Sequence, residues 1–119
     1  MPIAAELSAL TALSPLDGRY REKLTALAEH FSEYGLIRNR IKVELAWLEA
    51  LADEARVAEL TSFSPATRTL LKDVVSAFRS ADAERVKAIE RETNHDVKAV
   101  EYFIGRRTAE TTRLRYDIK

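Results

Sequence analysis

From Tyr34 onward, apolar side chains recur every three or four positions, at Ile37, Ile41, Leu45, Leu48, Ala52 and Ala55. That spacing is close to the α-helical period of 3.6 and too long for a strand, whose side chains alternate every two residues. Ser32 precedes the run as an N-cap, so one long helix is predicted near 33–58. At 1.5 Å per residue its apolar stretch would be about 35 Å long. Val43, Trp47 and Leu51 widen the stripe on one flank, which places Trp47 in the expected core.

Shorter periodic segments surround it. Leu24, Leu27, Ala28 and Phe31 fit a helix over about Arg21 to Phe31. Ser64-Pro65 reads as a helix start, serine as cap and proline at the first helical position, ahead of Leu70, Leu71, Val74, Val75 and Phe78. Ser80-Ala-Asp82 begins another, with Asp82 and Glu84 in the turn where the helix dipole favours acids and Ala83, Val86 and Ile89 facing inward. A last helix starts at Asp96, with Val97, Val100, Phe103 and Ile104 as its stripe, and the pattern fades after Gly105. The expected fold is all-α, about five helices of unequal length, followed by a polar, threonine-rich end.

Composition narrows the function classes. The chain has 119 residues, three glycines and three prolines, too few turn formers for a protein built of hairpins. Its 19 basic and 19 acidic residues balance, so the basic excess usual for a nucleic-acid partner is missing. Without cysteine there is no disulfide framework, and two histidines leave little for a metal site. No run approaches the roughly 20 apolar residues of a membrane span, and the first residues lack the pattern of a signal peptide. A cytoplasmic protein is the expectation.

Two polar junctions interrupt the helices. Asp17-Gly18-Arg19-Tyr20 is a tight turn that presents a guanidinium and a phenol before a helix. Either Arg19 is a surface arginine beside a packed Tyr20, or the pair holds a phosphate or carboxylate, helped by free amides at the helix start. Thr93-Asn94-His95-Asp96 joins two helices. Thr93 or Asn94 can serve there as a cap and Asp96 as a first-turn acid; alternatively Asn94, His95 and Asp96 together hold a polar ligand. His30, beside Glu29, reads as an ordinary surface residue.

At these junctions the sequence resembles the adenylosuccinate lyase family, in the bacterial branch of the fumarase/aspartase superfamily. The resemblance rests on Leu13-Ser-Pro-Leu-Asp-Gly-Arg-Tyr20, Phe31-Ser-Glu-Tyr-Gly-Leu36, Val43-Glu-Leu-Ala-Trp-Leu48 and Ile89-Glu-Arg-Glu-Thr-Asn-His-Asp-Val-Lys-Ala-Val-Glu-Tyr-Phe103. It covers about residues 7 to 104 in the family's order and spacing.

The resemblance implies a homotetrameric, cofactor-free and metal-free lyase of purine nucleotide synthesis. Such an enzyme eliminates fumarate from adenylosuccinate to leave AMP, and acts likewise on the succinyl-carboxamide ribotide intermediate. By family likeness Arg19 and Tyr20 bind the nucleotide, and Asn94, His95 and Asp96 line the substrate site. The family's acid histidine and base serine lie further along the chain than residue 119, so no catalytic residue is expected here. The implied identity is the N-terminal substrate-binding domain of the enzyme over 1–110, inactive alone, with a tail over 111–119 that diverges from the family's pattern. A non-catalytic helical interaction module derived from a lyase is the alternative.

Overall fold

The computed structural model describes residues 6–110, and the tail predicted over 111–119 lies outside them. The chain divides into two compact units, Met1–Gly35 and Leu36–Lys119. The described residues contain five α-helices: α1 Thr25–Phe31, α2 Glu33–Asp53, α3 Pro65–Ser76, α4 Ser80–Thr93 and α5 Asp96–Glu110. No strand occurs among the described residues, in agreement with the all-α expectation.

In the first unit, Ser14 caps a short 3-10 turn at Pro15–Asp17 by accepting from the Leu16 amide at 3.2 Å. A second 3-10 segment, Arg21–Leu24, leads directly into α1. The single helix predicted from about Arg21 is therefore wound tightly in its first four residues. Leu27 and Phe31 of α1 are exposed. Ser32 stops α1 and starts α2, its hydroxyl accepting from the Gly35 amide at 3.1 Å as the N-cap reading requires. Glycine is needed at position 35 because a Cβ there would lie 2.5 Å from the Glu29 carbonyl oxygen.

The second unit is built on the α2 stripe. Ile37, Ile41, Leu45 and Ala52 are buried, alongside Leu71 and Phe78 from the α3 region, Val86 and Ile89 from α4, and Val100, Phe103 and Ile104 from α5. The Phe78 and Phe103 rings meet edge to face, with centroids 5.9 Å apart. Ser64 caps α3 by accepting from the Thr67 amide at 3.2 Å, with Pro65 at the first helical position. Asp82 is buried and accepts from the Arg79 amide at 2.9 Å, which closes the start of α4.

Three expectations are corrected. First, α2 ends at Asp53, not near residue 58. Its end is set by charge: Arg68 from α3 binds Asp53, while the Glu54 carboxylate turns onto the amide and guanidinium of Arg56. Second, Trp47 is not core but 60% exposed, and Val43 is exposed beside it. Each lies two residues from a buried position, about 200° round a helix that turns 100° per residue. Third, α5 runs on through Gly105 to Glu110. The buried Thr108 supports that extension by donating to the Ile104 carbonyl at 2.8 Å. Val97, expected on the α5 stripe, is partly exposed.

Candidate functional site

The predicted ligand-facing residues occupy two turns, one in each unit, and each turn has its own local logic.

In the first unit the backbone folds tightly round Pro15, whose carbonyl accepts from the Gly18 amide at 3.3 Å and the Tyr20 amide at 3.0 Å. Gly18 lies against residues 9–12, and a Cβ there would sit 2.7 Å from the Ala9 carbonyl oxygen. The turn thus brings Arg19 and Tyr20 to the surface together. The Arg19 guanidinium donates to the Tyr20 hydroxyl at 2.7 Å and lies 4.6 Å from the ring centroid. Lys23 adds a second cation 6.0 Å from the same ring. Tyr20 is therefore not packed away: it holds the arginine in place while staying accessible. The helix amides expected to assist an anion are partly spent, since Arg21 donates to Gly18 and Lys23 to Tyr20. An anion at this turn would meet side-chain cations first.

In the second unit Asn94 ends α4 in the left-handed region, φ 52° and ψ 30°, with its amide donating to the Glu90 carbonyl at 2.7 Å. Asparagine tolerates that conformation better than most residues. Its carboxamide has no partner among the described residues and is exposed. Neither Thr93 nor Asn94 supplies the side-chain cap of α5. That role falls to His95, whose Nδ1 accepts from the Lys98 amide at 3.1 Å. A nitrogen that accepts carries no proton, so the neutral ring bears its proton on Nε2 and presents it as a donor.

Asp96 opens α5 as the dipole argument expects. Its Oδ1 accepts from the Val97 amide at 2.8 Å, and its Oδ2 pairs with Arg40 Nη2 of α2 at 2.9 Å. The Val97 amide is the main cause that holds the carboxyl below its ordinary value; burial opposes it, and the Arg40 charge and hydrogen bond each add a smaller downward pull. Arg40 was not singled out in the sequence, because no local spacing links positions 40 and 96. The junction thus offers an amide, an N–H donor and a fixed carboxylate within three residues. Among the described residues, no group of three His, Cys, Asp or Glu side chains could hold a metal ion.

No family model matches the chain. Curated relatives do. Over 99 residues the chain is 54% identical to the adenylosuccinate lyase of Haemophilus influenzae, an alignment covering 83% of this chain and 22% of that protein. Over 109 residues it is 50% identical to the adenylosuccinate lyase of Escherichia coli strain K12, covering 92% and 24%. The chain matches part of an adenylosuccinate lyase. The same-named protein of Vibrio cholerae is 53% identical over 104 residues, 87% of this chain and 23% of its own.

The Escherichia coli alignment leaves ten of the 119 residues outside, so both turns lie within the matched span. This chain spans about a quarter of the length of these lyase relatives.

Proposed function

We propose that this chain is the N-terminal, substrate-binding part of an adenylosuccinate lyase. The observation that carries the reading is the 50% identity to the Escherichia coli lyase across a span that includes both polar turns. In this reading the whole enzyme, a homotetramer, performs a β-elimination on a purine nucleotide. A base takes a proton from the succinyl carbon, the carbon–nitrogen bond breaks, an acid protonates the departing nitrogen, and fumarate leaves. The substrates are adenylosuccinate, giving AMP, and the succinyl-carboxamide ribotide of de novo purine synthesis.

Arg19 and Tyr20 take the nucleotide's anionic end, where guanidinium donors suit phosphate oxygens. Asn94 and His95 hydrogen-bond the polar parts of the substrate through the carboxamide and the Nε2 proton. Asp96 fixes the start of α5 while Arg40 compensates its charge. The acid and base belong to the part of the enzyme beyond this chain, so the 119 residues alone release no fumarate. The experiment is a chimera in which this chain replaces its counterpart in the Escherichia coli lyase. Fumarate release by the chimera, and none by the chain alone, is the expected pair of results. Turnover by the chain alone would refute the division of labour.

A non-catalytic interaction module is the second reading, favoured by Leu36, Val43 and Trp47, which lie exposed along α2. In that case the chimera assembles but gives no fumarate.

A further inference from the structure

Between α2 and α3 of the second unit runs an open groove of about 340 Å³. Leu45, Leu71 and Val75 form its apolar floor, and Arg38, Lys42 and Lys72 stand round it. None of these three cations forms an ion pair or hydrogen bond among the described residues. The acid on the lining, Glu49, is already compensated by Arg68 at 3.5 Å, and the same arginine holds Asp53. The groove therefore pairs apolar surface with uncompensated positive charge, in a chain whose formal net charge is zero.

We infer that this groove docks an amphipathic helix of a partner polypeptide, with leucine-like residues on its buried face and carboxylates along its flanks. Helix ridges on two sides accept a third helix by the ordinary ridge-and-groove geometry. The apolar floor rewards buried methyl groups, which a nucleic-acid backbone lacks. The cations select acidic flanks over basic ones, because like charges at a docking rim slow encounter and weaken the complex.

The test uses the full 119-residue chain and two synthetic helical peptides of about 18 residues, roughly five turns. Both carry leucine at positions i, i+3, i+4 and i+7; one has glutamate on the flanks and the other lysine. The glutamate peptide is expected to bind saturably, at least about tenfold tighter than the lysine peptide, and to weaken with added salt. In Lys42→Glu/Lys72→Glu, both on exposed positions, that preference should disappear or invert. Equal binding of the two peptides, insensitivity to salt, or no saturable binding would overturn the inference. If the double variant loses its helical circular dichroism, the peptide and salt comparisons on the unaltered chain still decide.

Discussion

Arg40 and Asp96 lie 56 residues apart in sequence and 2.9 Å apart in space. The arginine stands on the long helix, the aspartate on the first residue of α5, and their contact ties the polar junction to the core helix. Asp53 makes a comparable pair with Arg68 near the other end of α2.

Both carboxyls are held below their ordinary value of 3.8, Asp53 by hydrogen bonds from Arg68 and Ser62, Asp96 chiefly by the Val97 amide and Arg40. A carboxyl that is more acidic in the folded state contributes stability above its unfolded pKa and loses it as pH falls through the folded pKa. Stability should therefore be level from about pH 6 to pH 5 as far as these groups are concerned, and decline below about pH 4. Urea denaturation across that range should show a shallower acid decline in Asp53→Asn and Asp96→Asn. An unchanged decline in both would show that the pairs do not bias the titration.

Gly35 and Gly105 should respond oppositely to alanine. At Gly35 the new Cβ meets backbone at Glu29 and His30, 2.5 and 2.9 Å away, which no side-chain rotation relieves. A loss of about 1–3 kcal/mol is expected, as for other overpacked sites. At Gly105 a Cβ meets nothing within 4 Å, and the position is inside α5. Alanine there should gain about 0.5–1 kcal/mol from helix propensity. Chemical denaturation of the two variants checks both signs.

His95 has two separable duties. As a cap it accepts through Nδ1, and under the proposed function it donates to the substrate through Nε2. His95→Ala should lose about 1 kcal/mol of stability with the cap. His95→Asn should recover most of that, since its side-chain oxygen can accept from the Lys98 amide. In the full-length chimera, however, His95→Asn should still raise KM. Recovery of both stability and KM would confine His95 to capping.

Trp47 discriminates the observed packing from the sequence expectation. A buried tryptophan cut to alanine costs about 3–5 kcal/mol, whereas a surface change stays within about 0.5 kcal/mol. At 60% exposure Trp47→Ala should fall in the second class. The indole is the only tryptophan in the chain, so its fluorescence reports this position alone and should be readily quenched by iodide.

Local signals were the legible ones. The Ile37–Ile41–Leu45 stripe, the Ser32 and Ser64 caps and the first-turn Asp96 follow from periodicity and capping chemistry, and all three stand in the structure. What stayed hidden depends on distant partners or on angle. The end of α2 is fixed by Arg68, which arrives from another helix. Trp47 has helical spacing from Val43, but spacing along a flank does not say which side of the wheel is buried. The capping role of His95 escaped notice because hydroxyls, carboxylates and amides are the usual caps. The substrate-facing roles proposed for both turns rest on family likeness alone; spacing by itself leaves the surface reading and the ligand-holding reading of Arg19 and Asn94 both open.

Arg19 gives the most direct test that this chain supplies the nucleotide-binding part of a lyase. Binding of adenylosuccinate should be measured by calorimetry on the full-length chimera, with Arg19 intact and as Arg19→Ala. Loss of a charge-assisted contact worth about 1.5–3 kcal/mol should weaken binding about tenfold to hundredfold, with the oligomeric state of the chimera unchanged. Equal affinity of the two chimeras would contradict the assignment of this turn to the substrate.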